Sequence, residues 1–229
     1  MDIQFLGHSA FKVRIPGATL LIDPFLTGNP SFPEDMSVEQ ASEGVGHVLL
    51  THGHYDHVGD TIDILKATGG TLTANFEICM WAKDQGIENV NPVEQGGCVN
   101  MGAFDVAMTN AVHSSSIASS PERNVMDIYL GNPAGVVVMA ENEPTLLHMG
   151  DTDIFSDMAL INEIYQLRSE LCRLETASPW ALVPRRWRAS GSLSSRPSFH
   201  VTTVQCQFSI KALIIFLNAW EMMRFGWLN

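Results

Sequence analysis

The chain has 229 residues, 45% of them apolar and 17% charged, with a formal net charge of −12. That length suffices for one large domain or two small ones around a sizeable core. The acidic balance excludes nucleic acid and anionic membrane surfaces as partners. The start, "MDIQFLGHSAF", lacks the basic opening and apolar core of a secretion signal, and no 18-residue apolar run occurs in the chain. The four cysteines (Cys79, Cys98, Cys172 and Cys206) show no CxxC spacing and read as free thiols. The expectation is a cytoplasmic protein, with self-association left open.

In chain order, "IQFLGHSAFKVRI" alternates apolar and polar positions before a Pro-Gly turn, and "ATLLIDPFL" follows, so the opening reads as a β-hairpin. "NPSFPEDMSVEQASEG" is a polar loop with room for one helical turn. "VGHVLLTH" is a short apolar run suited to a buried strand. Beyond the His-rich stretch that follows it, "DTIDILKATGG" spaces Ile62, Leu65 and Lys66 for a helix against a sheet and closes on Gly-Gly. "TLTAN" predicts a strand and "FEICMWAKDQG" a helix. Strands follow in "NVNPVEQGGCVNMGAFDVAMTNAVHSS", and three more in "DIYLGNPAGVVVMAENEPTLLHMGDT". "FSDMALINEIYQ" predicts a helix with Met158, Ile161, Ile164 and Tyr165 on one face. Strands first, then helices and strands interleaved, indicate a layered α/β fold rather than a simple parallel sheet.

The chemistry concentrates in "LLTHGHYDHVGD", where His52, His54, Asp56 and His57 follow an apolar strand. A metal needs several such side chains within roughly 2.0–2.2 Å of one point, and imidazole with carboxylate suits zinc, iron or manganese. In an extended segment His52 and His54 point the same way. A helical turn beginning at Tyr55 would swing Asp56 and His57 toward a neighbouring position, so one segment could serve two adjacent ions. The bland alternative, a solvated His-rich turn, does not account for four ligand types at a strand end.

"THGHYDHVGD" resembles the signature of the metallo-β-lactamase superfamily. "FLGHSAFKV", "LLIDPFLTGNP", "AVHSSS" and "LLHMGDTDIFSDM" resemble its UPF0173-like branch of metal-dependent hydrolases, near the ascorbate-6-phosphate lactonases. The resemblance covers residues 1 to about 166. It implies a four-layer αβ/βα sandwich with one or two divalent ions, zinc foremost and manganese or iron as alternatives. It also implies that His113 joins His52 and His54 at a first metal, that Asp151 bridges both metals, and that Asp56 and His57 belong to the second. The activity implied is hydrolysis of an ester, lactone or phosphodiester-type bond in a small molecule by metal-activated water, with Asp56 orienting that water or shuttling its proton. Taken alone, His113 could be structural and Asp151 could cap a helix opening near Ile154. Asp23 reads either as support for a ligand histidine or as a turn cap. His8 either reaches the pocket or is structural. Ser114, Ser115 and Ser116 line the loop without the logic of a Ser-His-Asp triad. A non-catalytic metal-binding protein on the same fold is the alternative function.

After Gln166 the composition breaks. Residues 1–166 hold 5 Lys+Arg and 22 Asp+Glu, whereas residues 167–229 hold 8 and 3 with four of the five tryptophans. The resemblance leads one to expect a "Val-Pro-Ile-Gly-Asp-Arg-Phe-Thr-Met-Gly" loop and a later "Ile-Pro-Cys-His-Tyr-Gly", whose histidine closes the second metal site. Neither is present. An allowed codon spelling of Gln166 to Trp180, with a single C restored after the first codon, reads Gln-Pro-Lys-Val-Gly-Thr-Val-Pro-Ile-Gly-Asp-Arg-Phe-Thr-Met. The same offset turns an allowed spelling of "SSRPSFHVTTV" into Lys-Phe-Lys-Thr-Val-Ile-Pro-Cys-His-Tyr-Gly. Residues 1–166 are thus expected to form an incomplete metallo-β-lactamase-like domain and 167–229 an out-of-frame tail. The C-terminal part would then be incomplete or disordered, with no ligand role for His200, poor folding, and at best a partial first metal site. The rival is a genuine C-terminal module around "FSIKALIIFLNAWEMMRF".

Overall fold

A computed structural model describes residues 1–119, 127–167 and 169–171. The first sheet is built from β1 (Asp2–Phe5), β2 (Phe11–Ile15), β3 (Ala18–Ile22), β4 (His47–Leu49), β5 (Thr71–Ala74) and β6 (Val90–Pro92), in that spatial order. Pairing is antiparallel through β3 and parallel from β3 to β6. Parallel neighbours need crossovers. These are supplied by α1 (Val38–Ser42), by α2 (Tyr55–Val58) with α3 (Thr61–Thr68), and by α4 (Phe76–Asp84). The second sheet orders β7 (Cys98–Asn100), β8 (Phe104–Asn110), β11 (Ala134–Ala140), β12 (Leu146–His148) and β13 (Ser169–Leu171) side by side. A short ribbon pairs β9 (Ser116–Ile117) with β10 (Ile128–Tyr129), and α5 (Met158–Tyr165) follows β12.

Side-chain alternation along the strands divides the apolar residues into three groups. Leu20, Ile22 and Leu49 of the first sheet meet Val106, Met108, Val136, Val138 and Leu146 of the second in a core between the sheets. Their neighbours Leu21, Val48, Leu50 and Leu72 face the opposite way, onto Ile64, Leu65, Ile78 and Ala82 of α3 and α4. Ala107, Val137 and Leu147 face outward onto Ile161 of α5. A residue period of two on both sheets therefore yields helix, sheet, sheet and helix in sequence. This is the expected four-layer αβ/βα sandwich.

Most predicted elements fall where the sequence pattern puts them, with four corrections. The opening alternating run is two antiparallel strands, because the chain reverses at Gly7 and His8, whose φ values are 97° and 53°. In α3 the residues packed inward are Ile64 and Leu65, while Lys66 is exposed. In α5 Ile164 is 68% exposed; Met158, Ile161 and Tyr165 form the packed face. The stretch after Gln166, for which no element was expected, contributes β13 parallel to β12. The rest of the proposed out-of-frame tail, with Cys172, Cys206 and His200, lies outside the described residues. Among the described residues, no helix is long and apolar enough to cross a membrane.

Candidate metal centre

Five segments end at one edge of the two sheets. The ends of β3 and β4 bring Asp23 and the loop Leu50–His54. The end of β8 brings His113, the end of β12 brings Asp151, and the turn between β1 and β2 brings His8. The His-rich loop is pinned from both sides: Leu50 N–H donates to Thr73 O at 3.1 Å, and Ala134 N–H donates to Thr51 O at 2.9 Å. Between the two leading histidines, Gly53 has its Cα against Leu130. A Cβ there would sit 2.5 Å from the Leu130 Cβ, so only glycine allows this approach. Gly53 N–H in turn donates to Ser115 Oγ, which donates to Leu130 O.

The extended segment becomes the one-turn helix α2 at Tyr55, as the ligand argument required. His52 and His57 are fully buried, His54, Asp56 and Asp151 partly so, and His113 is exposed. Ligand-capable atoms converge in three overlapping trios, each with its members within 4.8 Å of one another. They are His52–His54–His113, His52–His57–Asp151, and His8–Asp56–His57. The nearest contacts are His52 Nε2 to His54 Nδ1 at 3.0 Å and His57 Nε2 to Asp151 Oδ2 at 3.1 Å. Atoms held about 2.1 Å from a common ion at 90–110° lie roughly 3.0–3.4 Å apart, so these spacings suit shared coordination. Asp151 Oδ1 is buried with no hydrogen-bond partner, an expensive state for a carboxylate oxygen unless a cation is to be bound. The donor set of imidazole and carboxylate thus fits a divalent ion. Asp151 caps no helix: α5 opens later, at Met158.

Asp23, fully buried, organises the floor of the site. Its Oδ1 accepts from Thr51 N–H at 2.9 Å, and its Oδ2 accepts from Thr51 Oγ1 at 2.6 Å and from His57 Nδ1 at 2.8 Å. Thr51 has one hydroxyl proton and gives it to Asp23. Its contact with His52 Nδ1 at 2.9 Å must therefore be donated by the imidazole. His52 consequently carries its proton on Nδ1 and presents the Nε2 lone pair to the centre. The turn-cap reading of Asp23 gives way to this role in fixing two histidines.

The charges follow from the same geometry. Burial by itself would raise the pKa of Asp23, but the charge and hydrogen bond of His57, with His148 and His52 adding, hold it well below the usual carboxylate range. Burial would lower His57; Asp23 and Asp151 outweigh it and raise the imidazole. Burial and the neighbouring His57 charge push His52 down, which keeps it neutral. Asp56 lies well below its ordinary value chiefly because His8 donates to its carboxylate, Nε2 to Oδ2 at 3.1 Å.

Two contributors went unused in the sequence reading. His148 is buried, donates Nε2–H to Ser9 O at 3.0 Å and accepts Gly150 N–H on Nδ1, tying β12 to the β1–β2 turn. Its only sequence signal is a histidine closing an apolar strand just before Gly-Asp. Asp60 accepts Leu26 and Thr27 N–H at 2.8 Å each and so anchors the loop after Asp23 to the start of α3.

A beta-lactamase superfamily domain profile matches residues 18–171. A UPF0173 metal-dependent hydrolase of Methylocella silvestris is 56% identical over 165 residues, which are 72% of this chain and 68% of that protein. A UPF0173 metal-dependent hydrolase of Rhizobium meliloti is 49% identical over 166 residues, 72% of this chain and 69% of its own. Among solved structures, a metallo hydrolase from Ignicoccus hospitalis superposes with a TM-score of 0.62 at 28% identity, over 73% of this chain and 68% of that one.

Proposed function

Because the chain belongs to the beta-lactamase superfamily, and within it to the UPF0173 metal-dependent hydrolases, we propose that it hydrolyses an ester, lactone or phosphodiester-type bond of a small molecule. One or two divalent ions assist, zinc being the ion that its nitrogen-rich donor set suits best. The observation that carries the reading is the convergence of three donor trios linked through His52 and His57, with Asp151 Oδ1 buried and unpartnered. His52, His54 and His113 would hold the first ion, Asp56 and His57 would belong to the second, and Asp151 would serve both. When bound, such ions polarise an acyl or phosphoryl oxygen and bring the pKa of a water toward neutrality.

The chain's own residues do the rest. Asp23 locks the His57 ring through Nδ1 and, by way of Thr51, sets the proton of His52 on the nitrogen facing away from the centre. Asp56 stays ionised beside His8, and a carboxylate held that low is a weak base. Its part is to accept a hydrogen bond from the attacking water and aim it. Ser114 Oγ lies 3.2 Å from His54 Nε2 and steadies the ring from the exposed side.

We take residues 1–166 as the hydrolase domain and 167–229 as the product of a one-nucleotide deletion. The composition break supports that boundary, and the family match ends shortly after it, at residue 171. This chain should consequently be less active than its relatives. Its site of action is the cytoplasm. Metal analysis, with a screen of esters, lactones and phosphodiesters on this chain beside its frame-restored version, tests the reading. Hydrolysis lost on chelation and restored by zinc is the expected result. Metal uptake without turnover of any substrate class by either protein would instead make this a binding protein.

A further inference from the structure

The resemblance assigns the last ligand of the second metal position to a histidine whose motif this chain does not contain. We propose that His8, on the turn between β1 and β2, takes that place and completes a second metal position with Asp56 and His57. The inference rests on the metal-hydrolase reading above and replaces the expectation that only a partial first site survives.

Three observations carry it. His8 Nε2 lies 3.1 Å from Asp56 Oδ2, and the ligand atoms of His8, Asp56 and His57 all fall within 4.8 Å of one another. The same separation, 3.1 Å, holds between His57 Nε2 and Asp151 Oδ2, and His57 belongs both to this trio and to the one with His52 and Asp151. The His8 ring stands edge-on to His57, with centroids 5.6 Å apart, and edge-on to Phe25 at the same distance, which leaves it 18% exposed and with little freedom to turn away.

The backbone of this turn is built to present that ring. His8 has φ 53°, in the left-handed region that non-glycine residues seldom occupy and that gathers at functional sites. Gly7 before it has φ 97°, and a Cβ there would lie 2.4 Å from Ser31 O, so the turn is pressed against the following loop. Backbone bonds from Ala10 N to Gly7 O at 2.9 Å and from Leu6 N to Ala10 O at 2.8 Å close it. A hairpin serving only to connect β1 and β2 could place Asn or Gly at the strained position at lower cost. Here the position holds a side chain aimed at Asp56.

The test counts ions on the full chain. Metal-stripped protein is titrated with cobalt(II), with binding followed by calorimetry, elemental analysis and the visible cobalt spectrum. Wild type should take two equivalents. His8→Asn, which tolerates the same backbone conformation, should keep the first equivalent and bind the second at least 10-fold more weakly with an altered cobalt band, while its far-UV circular dichroism stays unchanged. Wild type loaded with two equivalents of cadmium-113 should show direct cadmium–nitrogen coupling at His8 Nε2, a readout independent of whether the variant folds. A second equivalent bound normally by His8→Asn, an uncoupled His8, or wild type that binds only one ion would each overturn the proposal while leaving the hydrolase reading intact. Wild type that binds no cobalt overturns both.

Discussion

Asp23 offers the sharpest test of how the site is held together. Replacing it with alanine leaves Thr51 N–H, Thr51 Oγ1–H and His57 Nδ1–H without their acceptor inside a fully buried pocket. Breaking one partner of a buried pair costs about 3–5 kcal/mol. Asp23 has φ 47°, so alanine adds backbone strain of about 1 kcal/mol. The total of about 4–6 kcal/mol is comparable to the lower end of a domain's whole stability of about 5–15 kcal/mol. Asp23→Asn keeps the shape, tolerates the backbone and still accepts from Thr51 N–H, so it should cost less, about 1–2 kcal/mol. It should nevertheless weaken metal binding about 10–100-fold, because the His57 proton is no longer directed to Nδ1 and can occupy the nitrogen that faces Asp151.

The assay is urea unfolding of the metal-free variants beside calorimetric metal titration. The pH dependence has a definite sign. The pKa of Asp23 is depressed in the folded state, so its contribution is present above its ordinary value of 3.8 and lost as pH falls below it. That of His57 is raised, so its contribution is complete below its ordinary 6.5 and declines as pH rises through the folded value. The stability gap between wild type and Asp23→Asn should therefore be widest between these two values and shrink on the alkaline side. Equal destabilisation by Ala and Asn, together with unchanged metal affinity in Asp23→Asn, would refute the account.

Other outcomes are equally checkable. His113→Ala, at an exposed position, should change stability by no more than about 0.5 kcal/mol yet remove the first metal equivalent and lower hydrolysis more than about 100-fold. Gly53→Ala should cost about 1–3 kcal/mol through the clash with Leu130, and the urea midpoint and the first metal equivalent should fall together. Burial raises the Cys79 thiol to about 11, while Cys98 is exposed, so peptide mapping after brief alkylation at mildly alkaline pH should find Cys98 modified well before Cys79. The frame-restored protein should melt at a higher temperature than this chain and hold its second ion more tightly; identical melting and identical second-site affinity would count against the deletion.

Four ligands were legible in one stretch because a strand end followed by one helical turn makes a local constellation: His52, His54, Asp56 and His57 need only β4 and α2. A layered α/β architecture was legible in the order of strands and helices, while its four layers were reached through resemblance and follow in the structure from the period-two alternation on both sheets. His113 and Asp151 were reached through resemblance, and only the pairing of β8, β11 and β12 in one sheet shows why they arrive at the same edge as β4. What tertiary structure alone decided concerns residues whose role depends on partners distant in the chain. Asp23 is a turn aspartate by sequence and the buried acceptor of two histidine-fixing bonds in space. His8 follows a strand by sequence and meets Asp56, 48 positions later, only because the chain reverses at Gly7. His148 depends on a carbonyl 139 residues away. Local patterns determine which side chains can bind a metal; the orientation of each ring, its proton and its neighbours is set by contacts that no short window of sequence contains.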